Sequence, residues 1–168
     1  TALADDLIAI LSALKPHAIH THNPADKHPT HIAVFAAALK AIRSLPAAAQ
    51  PHTLIGCEVW RDLDWLPDEF KVLMDTSPHE QLSQQLNAVF TSQTSAGKCY
   101  DIAVAARRRA HATFHSPHHK DDATSLILGM DLTPLLRDAS LHPADFTCGM
   151  IRRFEADVRR QLENHFPS

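Results

Sequence analysis

Residues 17–45 read HAIHTHNPADKHPTHIAVFAAALKAIRSL, and this stretch decides the fold. Residues 17–21 are a short run with Ala18 and Ile19 between polar side chains, and we predict that they form a buried strand. Residues 30–45 are rich in alanine and carry apolar side chains on one side, which predicts a helix of high intrinsic propensity. The polar residues between them therefore form a loop at the carboxyl end of a strand, and such loops often carry function.

The neighbouring segments continue an alternation of helices and strands. Leucine and isoleucine residues at helical spacing predict a first helix that ends before Pro16. This order predicts an α/β protein with a largely parallel sheet and flanking helices, and ligands of such sheets bind beyond the carboxyl ends of the strands. Further strands are predicted at 53–60 and 71–75, further helices at 79–90, 100–114 and 144–165, and an irregular segment with some helix at 123–136.

The composition is that of an ordinary globular domain. Apolar residues make up 45% and charged residues 21% of the 168 residues, which allows one packed domain. The net charge of −3 provides no basic surface, so no nucleic-acid partner is expected. The one run of three basic residues, 107–109, fits a solvated helix face or ion-pair partners better than a phosphate clamp.

The three cysteines indicate a reducing compartment. Cys57, Cys99 and Cys148 are widely spaced and odd in number, which does not fit a disulfide framework, and no C-x-x-C zinc pattern is present. No apolar run reaches the roughly 18 residues that a membrane span needs, and no signal peptide is visible. We therefore expect a cytoplasmic chain without a membrane span.

The polar loop carries a candidate metal site. His22, Asp26, His28 and His31 lie close together in the sequence, and a helix that begins at Pro29 would let His28 and His31 face back into the loop. Imidazole is the commonest protein ligand for zinc, so a divalent metal is one interpretation. The alternative is a polar loop of solvated histidines, since the chain contains 13 histidines.

A second polar cluster follows the predicted strand at 53–60. Glu58, Arg61 and nearby aspartates lie next to Trp60 and Trp65. One interpretation is a polar substrate pocket whose aromatic wall suits a sugar. The alternative is a surface loop of ion pairs with its tryptophans packed into the core.

Residues 21–34, and above all His28-Pro29-Thr30-His31-Ile32-Ala33-Val34, resemble the third motif of the PIG-L/LmbE-like de-N-acetylase family, usually written H-P-D-H-x-A-V. Other segments are similar to one bacterial branch of that family, in the same order along the chain. These segments are residues 56–66, 92–101, 107–113 and 130–135. The resemblance covers essentially the whole chain.

The resemblance implies a Rossmann-like α/β domain and a hydrolase that uses Zn²⁺ or another divalent metal. Its substrate would be an N-acetylglucosamine-type sugar or glycoconjugate, which loses its N-acetyl group. On this basis His31 is the third protein ligand of the metal, and His28 stabilises the oxyanion as an imidazolium. Asp26 orients His28 or takes part in proton transfer. The residues expected to contact the substrate are Glu58, Trp60 and Arg61.

One motif of the family is missing from these residues. Family members begin with a strand followed by A-H-P-D-D-E, which supplies two metal ligands and the general base, and no His-Pro-Asp-Asp occurs here. The opening at Thr1 matches a helix halfway along a family member. We therefore expect residues 1–168 to be the C-terminal portion of a single deacetylase domain, inactive by itself.

A partial domain would leave a sheet edge open, because unpaired strand groups template association. We expect a preceding N-terminal segment, a second chain or self-association into a homo-oligomer to cover that edge. The alternative function is a catalytically incomplete remnant that acts as a binding or assembly module.

Overall fold

The protein is an α/β structure whose helices flank a four-stranded mixed sheet of order β1-β2-β4-β3. Its computed structural model describes residues 2–95, 97–116 and 118–166, so the family likeness at Thr1 and at Ala96 lies outside the described residues. The strands are β1 Ala18–His22, β2 Thr53–Cys57, β3 Lys71–Asp75 and β4 Leu126–Asp131. The helices are α1 Ala2–Leu14, α2 Pro29–Arg43, α3 Glu80–Ala88, α4 Thr91–Thr94, α5 Tyr100–Phe114, α6 Pro134–Arg137 and α7 Pro143–Glu163.

The chain divides into two compact units. The first combines the residues up to Val72 with those from Gly129 onward, and the second runs from Leu73 to Leu128. The boundaries fall inside β3 and β4. The expected single domain stays a prediction.

The sheet pairings of the first unit are mixed in direction. β1 and β2 are parallel, with Ala18 opposite Thr53 and His22 opposite Cys57. β2 and β4 are antiparallel, with Cys57 opposite Gly129. The prediction of a mostly parallel sheet is therefore wrong for this central pair. The alternation of helices and strands gave no sign of the reversal, because the fourth strand was not predicted.

Most of the predicted elements are confirmed, although β1 is only partly buried, and β4 and the short α4 were not predicted. Residues 126–131 were expected to be irregular, yet Leu128 and Met130 are buried in a central strand. A short apolar run buried on both faces has no alternation by which a strand could be recognised. The strand predicted at 53–60 ends at Cys57, and the predicted helices differ from the observed ones by a few residues at their ends.

The core of the first unit lies between α2 and the sheet. The helix buries Phe35, Leu39 and Ile42 on one face, and β2 buries Leu54 completely. Burial of each such side chain contributes roughly 1.5–3 kcal/mol relative to leaving it in water. This packing fixes the start of α2 against the end of β1, which is where the candidate loop lies.

The C-terminal end of α2 is held by a single side chain. Nε and Nη2 of Arg43 both donate to the carbonyl oxygen of Leu135, at 3.0 and 2.8 Å. Nη2 also donates to the carbonyl oxygens of Asp138 and Leu141, at 3.2 and 3.0 Å. The planar guanidinium thereby ties α2 to the segment that follows α6.

In the second unit, α5 lies against α3, and polar contacts connect them. Arg108 donates to the hydroxyl of Ser83, and Arg109 forms an ion pair with Glu80 at 3.8 Å. These contacts agree with the interpretation of residues 107–109 as partners in surface interactions. In the described part of the chain, no helix combines the length and the apolar character that crossing a bilayer requires.

Candidate functional site

Asn23 anchors the loop between β1 and α2, residues 23–28, which we call the motif loop. Its side chain is fully buried, and its backbone N–H and its Nδ2 both donate to the carbonyl oxygen of Cys57, at 3.1 and 2.9 Å. Its Oδ1 accepts a 3.0 Å hydrogen bond from the N–H of Ala25, which folds the chain over itself as asparagine side chains do in turns. The motif loop is thus fastened to the end of β2.

Asp26 connects three parts of the site. Its side chain is completely buried, and Oδ1 accepts a 3.0 Å hydrogen bond from the backbone N–H of His28. Oδ2 accepts a 3.1 Å hydrogen bond from the backbone N–H of Trp60 and lies 3.4 Å from Nδ1 of His31. Burial raises the pKa of Asp26, but the backbone hydrogen bonds from His28 and Trp60 and the nearby ring of His31 outweigh it, so this pKa lies below its ordinary value. Asp26 is therefore a carboxylate at neutral pH.

His28 caps the helix that carries His31. Helix α2 begins at Pro29, one residue before its predicted start, and Nδ1 of His28 accepts a 3.3 Å hydrogen bond from the N–H of Thr30. Proline suits the first helical position because its missing N–H would have no partner there. The rings of His28 and His31 then stack with their centroids 4.7 Å apart.

His22, which the sequence placed in the candidate site but to which the family resemblance gives no role, is a further member of this cluster. Its ring stacks on that of His31 with centroids 4.0 Å apart and planes 2° apart. Burial lowers the pKa of His22, and positive charge on His31 and His28 lowers it further, against the raising effect of Asp26. A signal was present in the sequence, since His22 ends a strand whose next loop contains the other two histidines.

Trp60 extends the stack on the other side. Its ring lies 6.1 Å from that of His28, and Nζ of Lys27 lies 5.5 Å from the centroid of the indole. The tryptophan is 37% exposed, so part of its face remains open to a ligand. Glu58 is half-buried and Arg61 is exposed, both next to it in the chain. The structure thus brings Asp26, His28, His31 and Trp60 together. Arg61 takes part in none of the contacts described here for this cluster.

The donor set of the cluster fits one metal ligand with its supporting carboxylate. Nδ1 of His31 is buried and makes no well-formed hydrogen bond, although Asp26 lies close to it. This arrangement directs the other ring nitrogen, Nε2, to a ligand, as in sites where a carboxylate orients a metal-bound histidine. Within residues 2–95, 97–116 and 118–166, no group of three or more His, Cys, Asp or Glu side chains is arranged to hold a metal ion.

A large cavity of the first unit lies away from the histidines. It has a volume of about 870 Å³ and lies between the loop at 62–71 and α7, with Trp65, Phe154 and Arg153 in its wall. Asp62 and Asp64 line it too, so these aspartates belong to a different surface from Trp60. The polar cluster that the sequence placed after β2 is divided between two places.

No protein-family model, curated protein or solved structure matches the chain. The chemistry of the motif loop is therefore the basis for the function proposed below.

Proposed function

We propose that this chain carries part of the active site of a metal-dependent de-N-acetylase of the PIG-L/LmbE type. The reaction is hydrolysis of the acetamide of an N-acetylglucosamine-type sugar or glycoconjugate. The observation that carries the proposal is the convergence of His28 and His31 on one buried carboxylate, Asp26, at the carboxyl end of β1.

His31 is the metal ligand in this proposal. Asp26 faces its Nδ1, which leaves Nε2 free to bind, and such a carboxylate fixes the orientation of the ring. A divalent ion such as Zn²⁺, when bound, brings the pKa of its water towards neutrality and polarises an amide carbonyl. Asp26 is a positioning residue for His31, and through the N–H of His28 it also fixes the start of α2.

His28 is the electrostatic partner of the reacting carbonyl. It lies beside His31 at the N-terminal end of α2, where the helix dipole also favours developing negative charge. Because Nδ1 of His28 accepts from the N–H of Thr30, the ring donates through its Nε2–H to the oxyanion of the tetrahedral intermediate. Because the nitrogen of an acetamide leaves poorly, it must be protonated as the bond breaks. In this proposal that proton comes from the general base of the A-H-P-D-D-E motif, which has taken it from the attacking water.

Trp60 forms the wall for the sugar. Aromatic side chains stack on the apolar faces of sugar rings, and Trp60 lies next to His28 with part of its surface exposed. Glu58 and Arg61 flank it in the sequence and offer an acceptor and donors for hydroxyl groups. Their proximity to Trp60 in the chain supports their assignment as substrate-binding residues.

We further propose that the mixed sheet belongs to a Rossmann-like domain and that other polypeptide supplies the remaining metal ligands and the general base. A catalytic zinc site has three protein ligands, and the described residues contribute a single well-supported one. That polypeptide is an additional segment or a second chain that brings a His and an Asp to an ion shared with His31.

The test is a deacetylation assay on the assembled enzyme with an N-acetylglucosamine-type substrate, together with elemental analysis. Activity that is lost on chelation and restored by Zn²⁺ supports the proposal. Metal-independent acetate release contradicts it. A chain that binds neither metal nor substrate would instead be a binding or assembly module.

A further inference from the structure

Most of helix α7 is exposed. Thr147 and Met150, within its first eight residues, are buried, but every residue from Ile151 to the end of the helix at Glu163 is exposed. Thirteen residues of helix are about 20 Å long at 1.5 Å per residue. One side of this exposed part, residues 151–163, contacts the loop at 62–71, with the rings of Phe154 and Trp65 6.4 Å apart and an ion pair between Arg153 and Glu69 at 3.0 Å, and the rest of its surface is available for contact with another surface.

An apolar stripe runs along this exposed part. Its members recur every three or four residues, so they lie on one side of the helix. The exposed fractions are 42% for Ile151, 42% for Phe154, 41% for Val158 and 54% for Leu162. Phe166, just past the helix, continues the stripe and is 75% exposed. Large side chains exposed together in this way mark an interaction surface.

Beside the stripe lies a row of alternating charges. In chain order it contains Arg152, Glu155, Arg159 and Glu163, spaced at three and four residues on one flank of the helix. Glu155 and Arg159 already form an ion pair within the helix at 3.2 Å. The signs of the charges along the row are plus, minus, plus, minus. When the helix is turned end to end, the order becomes minus, plus, minus, plus, which is complementary to the original order.

We propose that the exposed part of α7 pairs with the same part of a second copy of this chain, antiparallel and along the apolar stripe. In an antiparallel two-fold pair, the charged flank of one helix faces the same flank of the other helix, which runs in the opposite direction. Arg152 then lies opposite Glu163, and Glu155 opposite Arg159, so every charge of the row meets one of opposite sign. The position midway between residues 152 and 163 and the position midway between residues 155 and 159 differ by half a residue, which is under about 1 Å along the helix. A single two-fold axis can therefore form both pairs.

The apolar contacts follow from the same axis. It passes next to Val158, so the two Val158 side chains meet at the centre, and Phe154 of each copy lies between Val158 and Leu162 of the other. In a parallel pair this row would face the opposite flank of the partner helix, so its alternating charges would not meet one another. The charge pattern therefore selects the antiparallel pair of identical chains over a parallel one.

The test uses the 168-residue chain and its mass in solution, by light scattering and analytical ultracentrifugation. We expect about twice the chain mass of 18.6 kDa, with concentration-dependent dissociation. Leu162→Glu should yield single chains, and far-UV circular dichroism should show that its helix content is unchanged. Gln161→Glu, which adds the same charge off the charged row, is the matched control and should remain dimeric.

Charge exchange identifies the partner and its direction. Arg152→Glu and Glu163→Arg should each weaken the dimer roughly tenfold, since two symmetric contacts turn from attraction to repulsion. Mixing these two variants should restore a dimer of wild-type strength, because each altered charge then meets its opposite. The double variant in one chain should also dimerise with itself.

Three outcomes would overturn the proposal. These are a wild-type mass of one chain at every concentration, a dimer that Leu162→Glu does not change, and no recovery when the two charge variants are mixed. Single chains whose Leu162→Glu variant loses binding to anionic lipid vesicles would assign the stripe to a membrane surface instead.

Discussion

The backbone N–H of Trp60 donates a 3.1 Å hydrogen bond to Oδ2 of Asp26, which joins the loop after β2 to the motif loop after β1. The two residues are 34 positions apart, and β1 and β2 are parallel neighbours, so their following loops leave the same edge of the sheet. This bond turns two separate stretches of sequence into one candidate site. It also places the indole beside the two histidines that the proposed chemistry needs.

His31→Ala should lose the metal. The assembled enzyme is expected to hold about one divalent ion, for which His31 supplies one of the three protein ligands of a catalytic site. Elemental analysis of the purified variant measures the loss. His52→Ala is the matched control, because His52 is also a histidine stacked on a histidine, at 4.6 Å from His17. Full metal retention in the His31 variant would end the assignment.

His28→Asn should fold and bind metal but lose turnover. Asparagine is a good N-cap residue, so it replaces the acceptor that Nδ1 of His28 offers to Thr30. It cannot place an imidazole N–H at the oxyanion, and removal of one oxyanion-stabilising group typically costs 10²–10³ in turnover. The measurements are steady-state rates and metal content. A near wild-type rate would remove His28 from the chemistry, whereas loss of metal would make it a ligand.

Asp26→Asn should destabilise the first unit by about 1–3 kcal/mol, because a buried carboxylate that accepts two backbone hydrogen bonds is replaced by an amide. The pH dependence has a definite sign. The pKa of Asp26 is below its ordinary value of 3.8, so its contribution is full above that pH and is lost as the pH falls through the folded-state pKa.

Urea unfolding of wild type and Asp26→Asn across acid pH measures this difference. The free energies of unfolding of the two proteins should converge at low pH. Asp138→Asn is the exposed control: hydrogen bonds from Ser140 also lower the pKa of Asp138, but this carboxylate lies in solvent, so its gap from wild type should be smaller. A gap between the two proteins that stays constant with pH would mean that Asp26 does not act through its charge.

Cys57 should be the least reactive of the three thiols. Burial raises its pKa above the ordinary 9.0, and the neighbouring charge of Glu58 raises it further. Only the thiolate attacks, so a raised pKa leaves less reactive species at pH 8, and the rate of Cys57 labelling should climb at higher pH. Mass spectrometry after iodoacetamide treatment measures each site. Labelling of Cys57 as fast as that of the exposed Cys99 and Cys148 would contradict this environment.

The local part of the site could be predicted from the sequence, and its long-range part could not. His28 and His31 lie at the start of a helix that follows a strand, a turn and Pro29. These features are neighbours in the chain, so the positions of the two histidines follow from local sequence signals. The contact of Asp26 with Trp60 depends on the pairing of β1 with β2, which no spacing records. The stacking of His22 on His31 requires the register of a strand against a helix, which only packing determines.

The fold shows the same division. Helices with strong periodicity, such as α2 and α5, were predicted nearly to the residue. β4 was missed because its run of Leu126, Ile127 and Leu128 is followed by Gly129 and offers neither a helical nor an alternating pattern. Its antiparallel pairing with β2 makes the sheet mixed, and that direction is a property of the whole chain.

Gly56→Ala should destabilise the first unit by about 1–3 kcal/mol, the usual cost of an overpacked core. A Cβ at this position would lie 2.8 Å from Cδ1 of Leu132 and 2.9 Å from Cα of Asn23. The leucine tip can rotate, but Asn23 is tied to the carbonyl oxygen of Cys57 by two hydrogen bonds and cannot retreat without breaking them. The motif loop should shift with Asn23, so any metal affinity of the assembled enzyme should fall together with stability.

Gly149→Ala is the opposing control. This glycine lies within α7, where an added Cβ meets nothing closer than Nη2 of Arg152 at 3.9 Å. Replacing a helical glycine by alanine should therefore stabilise the protein, by roughly 0.5–1 kcal/mol. Thermal and urea unfolding of both variants measures whether each substitution lowers or raises the free energy of unfolding. A Gly56→Ala protein as stable as Gly149→Ala would mean that β2 and the motif loop are not in close contact, and the anchoring of the site through Asn23 would then be wrong.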